Sequence, residues 1–215
     1  MGRIENLKRV VDAGIVAIVR APSADEALRT VEAIHAGGLS VIEVTMTVPG
    51  ALDVLEELSG KIGGKVLLGA GTVLDPETAR ACILAGAEFL VSPTLNPRVI
   101  EMARRYGKVS VPAGLTPTEV SAAWDAGADF VKVFPCGNMG GADYIRALKA
   151  PLPQVEMIPT GGVSLENLGA FLKAGAAAVA VGGELVDKKA VQEKRWDAIA
   201  DLAKTFSTAV ARARA

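Results

Sequence analysis

The chain has 215 residues, of which 50% are hydrophobic and 22% charged, a composition typical of one globular domain with a single large core. Its net charge of -1 and its 4% of aromatic residues argue against a nucleic-acid surface. Two cysteines and one histidine supply no metal cluster, and no apolar run reaches the roughly 18 residues of a membrane span. We therefore predict one cytoplasmic domain over 1–215, without a metal, another cofactor, a nucleic-acid partner or a membrane partner.

Apolar runs alternate with amphipathic segments along the whole chain. After a first helix over 2–13, the pattern predicts eight strands, at 15–20, 40–44, 65–69, 88–91, 108–111, 129–134, 155–159 and 177–181. Helix starts are indicated by Ser23 with Glu26, Asp75 with Pro76, Asn96 with Pro97, Thr116 with Glu119, and Ser164. The last helix is long and amphipathic.

A repeated Ala-Gly helix end, at Gly37, Gly86, Gly127 and Gly175, precedes four of these strands. We expect each glycine to adopt the left-handed conformation that ends a helix. The spacings of 49, 41 and 48 residues (86−37, 127−86 and 175−127) each fit two βα units. Eight such units predict a (β/α)8 TIM barrel with an extra N-terminal helix. An open doubly wound sheet is the alternative, but it rarely has eight equal units.

The sixth predicted strand carries a lysine in an otherwise apolar run, Phe130-Val131-Lys132-Val133-Phe134. Because side chains alternate along a strand, Phe130, Lys132 and Phe134 share one face. A strand that is apolar on both faces is normally buried, and burial of an ammonium lowers its pKa. A partly neutral lysine forms Schiff bases with carbonyl compounds. A buried salt bridge and a strand-end lysine that reaches solvent remain alternatives for this run.

The active site of such a barrel lies at the carboxyl ends of its strands. Lys132 is the one lysine predicted inside a strand near that rim. Lys65, Lys108 and Asp129 stand at the amino ends of their strands, where we expect solvated charges. The position of Lys132 therefore favours a catalytic role.

Glu43 in the second strand shares a face with Val41 and Thr45. Strands two and six lie on opposite sides of a barrel, so Glu43 can face Lys132 across its mouth. A carboxylate near a desolvated amine can transfer protons during imine chemistry. A purely structural ion pair between the two is the alternative.

Two glycine pairs, Gly161-Gly162 and Gly182-Gly183, follow the seventh and eighth strands. Glycines in these loops let backbone N–H groups approach a phosphate. Glu184 would repel a phosphate, so we expect its side chain to point away while its backbone N–H stays useful.

Six motifs resemble those of the 2-keto-3-deoxy-6-phosphogluconate (KDPG) aldolases, a family that includes 4-hydroxy-2-oxoglutarate aldolase activity. They are Glu43-Val44-Thr45, Gly69-Ala70-Gly71-Thr72-Val73, Val91-Ser92-Pro93, Thr116-Pro117-Thr118-Glu119, Val131-Lys132-Val133-Phe134-Pro135 and Pro159-Thr160-Gly161-Gly162-Val163. The resemblance covers nearly the whole chain. It implies a metal-independent class I aldolase, an aldehyde-lyase on a (β/α)8 barrel and usually a homotrimer, that cleaves KDPG to pyruvate and glyceraldehyde 3-phosphate.

The resemblance also implies roles for particular residues. Lys132 would form the Schiff base, and Glu43 would be the general acid/base. Substrate contacts would come from Arg20, Thr47, Thr72, Pro93 and Thr160, and phosphate contacts from Gly161, Gly162, Gly182 and Gly183.

Three places depart from the family pattern. Thr47 stands where many relatives have arginine, so that Arg20 would supply the positive charge. Ala113-Gly114 replaces a more common glycine after Pro112, and Gly183-Glu184 replaces a serine and a small residue. Two other hypotheses therefore stay open: an aldolase for an unphosphorylated 2-oxo acid such as 4-hydroxy-2-oxoglutarate, and a scaffold for assembly with low activity.

Overall fold

Eight parallel strands surround the centre of the structure, a computed structural model that describes residues 2–214. Within those residues the strands are β1 Ile15–Val19, β2 Val41–Thr45, β3 Leu67–Gly71, β4 Phe89–Val91, β5 Val109–Val111, β6 Val131–Val133, β7 Met157–Pro159 and β8 Val179–Val181. The helices of the same range are α1 Arg3–Ala13, α2 Ala24–Ala36, α3 Ala51–Ile62, α4 Pro76–Leu84, α5 Pro97–Arg105, α6 Pro117–Asp125, α7 Ala142–Lys149, α8 Leu168–Lys173, α9 Lys188–Gln192 and α10 Trp196–Arg214, with a short 3-10 helix at Gly137–Met139.

The strands close into a barrel. Six of them pair in the order β5-β4-β3-β2-β1-β8, and β6 pairs with β7. Across one junction, the Lys132 N–H donates to the Pro112 carbonyl at 2.8 Å, and the Gly114 N–H donates to the Lys132 carbonyl at 3.0 Å. Across the other junction, Thr160 forms a parallel bridge with Ala180. The predicted (β/α)8 barrel with an extra N-terminal helix is confirmed.

The extra helix α1 covers the amino ends of the strands. Its Val10 is buried and packs with the apolar side chains inside the barrel. Arg3 forms an ion pair with Asp129, and the Asn6 amide donates to Glu88. The expectation that Asp129 is a solvated charge is wrong, because its side chain is only 3% exposed in the pair with Arg3.

Side-chain alternation divides the core into two layers. One layer fills the barrel and includes Phe89 and Phe130, whereas the other lies between strands and helices and includes Val131 and Val133. The predicted faces of the sixth strand are therefore confirmed. Among the described residues, no helix has the length and apolar character needed to cross a membrane.

Most of the predicted helix starts are confirmed. The side chains of Ser23, Asp75, Asn96 and Thr116 each accept a backbone N–H from the first turn of α2, α4, α5 and α6, respectively. At Thr116 the Glu119 carboxylate completes the capping box, whereas at Ser23 the Glu26 carboxylate accepts from the hydroxyl instead.

Several local predictions are wrong, among them the starts of the sixth, seventh and eighth strands, which begin at Val131, Met157 and Val179 instead of at 129, 155 and 177. Ser164 does not cap α8, because the Asn167 side-chain oxygen accepts from the Ser164 N–H and α8 begins at Leu168. At the first repeated helix end Gly38, with φ of 94°, is left-handed instead of Gly37, whereas Gly86, Gly127 and Gly175 are left-handed as expected. The third strand starts at Leu67, not at 65, because the N–H groups of residues 65 and 66 donate to the Ile62 carbonyl in a turn.

Candidate active site

Lys132 lies in the middle of β6 and points into the barrel with only 4% exposure. Its Nζ stands 5.2 Å from the centroid of the Phe134 ring. Burial lowers the pKa of Lys132; nearby Glu43 opposes this shift, and Arg20 adds to it. Among the described residues it is the only buried lysine, so it does not reach solvent as a strand-end lysine would.

Glu43 points inward from β2 and is 1% exposed. Burial raises the pKa of its carboxyl, and the positive charges of Lys132 and Arg20 oppose that shift. Its Oε2 is buried without a hydrogen-bond partner among residues 2–214. On one side the carboxylate lies directly over the Cα of Gly71 at the end of β3.

Glu43 and Lys132 line one small cavity of about 10 Å³ inside the barrel, together with Thr160. Its other walls are apolar and come from Val10, Val16, Phe89, Val91, Val111, Ile158 and Ala180. The two charged side chains form no direct ion pair in the described part of the chain, which argues against a purely structural salt bridge. An amine and a carboxyl in such apolar surroundings are both driven toward their neutral forms, as nucleophilic and acid/base groups require.

A second cavity, of about 180 Å³, opens at the carboxyl ends of β1, β6, β7 and β8. Its polar lining comes from Arg20, Thr160, the Gly161-Gly162 pair and residues 182–184. Because Thr160 and Ala180 line both cavities, the second cavity adjoins the one that holds Lys132. The structure thus brings together the lysine, the carboxylate, Arg20 and both glycine loops.

The glycine loops present free backbone donors. Gly161 and Gly162 have φ of 85° and 78°, and within residues 2–214 their N–H groups and those of Gly183 and Glu184 donate to no protein acceptor. Arg20 likewise has no ion-pair partner in this range. Free N–H groups beside a guanidinium form a site for an anion.

The Glu184 side chain is exposed and lines the second cavity. The expectation that it points away from the glycine loops is therefore only partly met, since the side chain reaches solvent while staying at the cavity edge.

Thr47, Thr72 and Pro93 follow β2, β3 and β4 at the same rim but line neither of these two cavities. Thr72 has φ of 61°, unusual for a residue other than glycine, and the Thr47 hydroxyl lies 2.7 Å from that of Thr45. Their predicted contacts with substrate remain predictions.

Sequence reasoning missed the structural importance of Gly71. The available signal was the pair of glycines at positions 69 and 71, which face inward on the strand next to Glu43.

Comparisons with known proteins agree with this geometry. A family model described as KDPG and KHG aldolase matches residues 5–202. The 2-dehydro-3-deoxy-6-phosphogalactonate aldolase of Escherichia coli (strain K12) is 34% identical over 91% of this chain and 96% of its own. The 2-dehydro-3-deoxy-phosphogluconate aldolase of Haemophilus influenzae is 31% identical over 91% of this chain and 92% of its own.

A solved structure of KDPG aldolase from Legionella pneumophila, with pyruvate captured as a covalent carbinolamine intermediate, superposes with a TM-score of 0.85. It is 28% identical and covers 93% of this chain and 96% of its own. A carbinolamine is the adduct that precedes a Schiff base, so the chemistry of that structural neighbour needs an amine nucleophile.

Proposed function

The chain belongs to the KDPG and KHG aldolase family, and we propose that its substrate is KDPG, which it cleaves to pyruvate and glyceraldehyde 3-phosphate. The observation that carries the proposal is the buried Lys132, which shares a small apolar cavity with the unpaired carboxyl of Glu43. The adjoining anion site of free N–H groups and Arg20 supports a phosphorylated substrate.

Lys132 is the nucleophile of this mechanism. Its neutral amine adds to the C2 carbonyl of the substrate, and loss of water from the carbinolamine gives a protonated Schiff base. Because burial lowers the pKa of Lys132, a larger fraction of its amine is neutral near pH 7 than for an exposed lysine.

Glu43 is the acid/base. As a carboxylate it removes the proton of the C4 hydroxyl, the C3–C4 bond breaks, and its electron pair moves toward the Schiff base to give an enamine and glyceraldehyde 3-phosphate. Glu43 then returns the proton to C3, and water releases pyruvate and regenerates the amine. The carboxyl raised in pKa by burial can both accept and donate this proton.

Substrate is held by the rim residues. Gly161, Gly162, Gly182 and Gly183 contact the phosphate through their backbone, and Arg20 supplies positive charge beside it. Thr47, Thr72, Pro93 and Thr160 contact the pyruvyl carboxylate or the hydroxyls. This mechanism uses no metal ion and no cofactor.

A second candidate substrate is an unphosphorylated 2-oxo acid such as 4-hydroxy-2-oxoglutarate. The observation that favours it is Glu184, which lies at the edge of the cavity that would hold the phosphate. Because a carboxylate and a phosphate are both negatively charged, Glu184 at this edge would oppose the binding of a phosphorylated substrate.

The test combines labelling with a substrate panel. Borohydride with pyruvate should add mass to the peptide that contains Lys132; label on another lysine, or none, would overturn the assignment and favour a scaffold of low activity.

The value of kcat/KM, followed by pyruvate release in the presence of EDTA, should be highest for KDPG. A higher value for 4-hydroxy-2-oxoglutarate or for the galactonate epimer would overturn the substrate proposal, and activity that a divalent ion restores would overturn the metal-independent mechanism.

A further inference from the structure

Gly71 lies against the carboxylate of Glu43. A Cβ atom built on Gly71 would overlap Oε1 of Glu43 and would also collide with its Cδ and Cγ at 2.7 Å or less. A glycine inside a strand weakens that strand, and it often marks a place where another group comes close. Here the group that comes close is the acid/base of the proposed reaction.

Hydrogen bonds do not hold this carboxylate. Oε2 of Glu43 is buried without a partner, and no residue of the described range donates to the other oxygen. Besides the attraction of Lys132 and Arg20, packing therefore positions this side chain, which lies against Gly71 in the space that a side chain at position 71 would occupy. The Glu43 side chain also lines the small cavity that it shares with Lys132.

The backbone at Gly71 cannot easily move away. Its carbonyl accepts the Met46 N–H at 2.8 Å, and Gly71 pairs with Thr45 in the parallel ladder between β2 and β3. Its φ lies outside the left-handed region, so alanine is compatible with the backbone, and the three nearest atoms that its Cβ would meet all belong to Glu43.

We propose that Gly71 is a positioning residue, whose lack of a side chain sets the place of the Glu43 carboxylate relative to the Schiff base on Lys132. This role rests on the proposed function of Glu43. A methyl group at position 71 displaces the Glu43 carboxylate by about 1 Å or more, and a misplacement of that size costs on the order of 10²-fold in rate.

The first experiment separates imine formation from proton transfer. Pyruvate trapping by borohydride, measured at equilibrium, requires Lys132, whereas exchange of the pyruvate methyl protons in D₂O, followed by NMR, requires in addition a base near C3. Gly71→Ala should keep the extent of trapping and lose about 10²-fold in the exchange rate. Exchange at the wild-type rate would overturn the proposal.

The second experiment tests the contact between Gly71 and Glu43 by stability alone, without a measurement of enzyme activity. Gly71→Ala should lower the midpoint of urea unfolding in the wild-type chain, but not in a Glu43→Ala chain, where the space is empty. The matched control is Gly69→Ala, because the three nearest atoms that a Cβ there would meet all belong to the Phe89 ring. Its effect on the midpoint should be the same in both chains.

The outcomes distinguish the two proposals. An equal loss from Gly71→Ala in both chains would overturn the positioning role. If Gly71→Ala fails to fold, a folded Gly71→Ala/Glu43→Ala protein supports the contact, and a double variant that also fails overturns it. A wild-type protein that traps no pyruvate would refute the proposed function, while the urea comparison would still decide whether Glu43 rests on Gly71.

Discussion

Replacing the charged pair inside the barrel by apolar side chains, Lys132→Met with Glu43→Leu, should make the protein more stable at pH 7. The two side chains are only 4% and 1% exposed and form no direct ion pair with each other. Each has lost its water without gaining a close partner, and burial shifts both pKa values toward the neutral forms. Replacement of a buried ion pair by apolar residues of similar volume is often neutral or stabilising by about 1–4 kcal/mol. Because these two buried charges also lack a close partner, we expect a gain in that range in urea unfolding.

The pH dependence isolates the contribution of Lys132. Burial lowers its folded pKa below the ordinary value of 10.5, so between the two values the unfolded chain holds one more proton. In that window the free energy of unfolding of a chain with Lys132 rises with pH by about 1.4 kcal/mol per unit. The destabilisation caused by the buried charge of Lys132 is complete below the pKa of Lys132 in the folded chain. It is absent above the pKa of this lysine in the unfolded chain. Glu43→Leu alone should therefore approach the double variant in stability as the pH rises toward 10.5.

An exposed pair supplies the control. Lys61 and Glu57 form an i,i+4 ion pair on α3 with side chains that are 55% and 43% exposed. Their replacement by Met and Leu should give no gain, because both charges keep their water. The reasoning would be refuted if the Lys132→Met/Glu43→Leu protein were less stable than wild type at pH 7, or if its advantage over Glu43→Leu did not shrink with rising pH.

Three further predictions concern the site and the assembly. Glu43→Gln should keep the fold and lose about 10²–10⁴-fold in turnover, measured by pyruvate release; near-normal activity would mean that Glu43 is only an electrostatic partner of Lys132. Glu184→Ala should change KM for KDPG only modestly and leave the rate on 4-hydroxy-2-oxoglutarate unaltered, because the exposed side chain can turn to solvent; a large gain confined to KDPG would contradict this. Light scattering should show a trimer, which would cover exposed apolar residues such as Leu74 and Leu84, and a monomer at micromolar concentration would refute it.

The parts of the structure that could be predicted from sequence are those that local rules determine. The two-residue alternation of a strand places Lys132 and Glu43 inside the barrel, and the eightfold repeat places both near the carboxyl rim. Helix starts at Asp75 and Thr116 were predictable because a side chain within the same turn satisfies the first N–H groups.

Two features could not be predicted in this way, one because a neighbouring side chain replaces the expected cap and one because it depends on a tertiary contact. Ser164 has the chemistry of an N-cap, but Asn167 accepts its N–H and donates to the Gly162 carbonyl, so the loop after β7 is held from both sides. The overlap of Gly71 with the Glu43 carboxylate depends on the relative register of β2 and β3, in which Thr45 pairs with Gly71. No spacing within either strand encodes that register.

The N-terminal helix links the fold to the chemistry of the site. Val10 of α1 lines the same small cavity as Lys132 and Glu43, although it enters from the opposite end of the barrel. The apolar surroundings that lower the pKa of Lys132 therefore come from α1 as well as from the strands. The Arg3–Asp129 pair also holds α1 over the amino end of the barrel. The second cavity instead adjoins this small cavity through Thr160, on the side of the glycine loops. Because α1 covers the opposite end, the proposed substrate would reach Lys132 from the carboxyl rim.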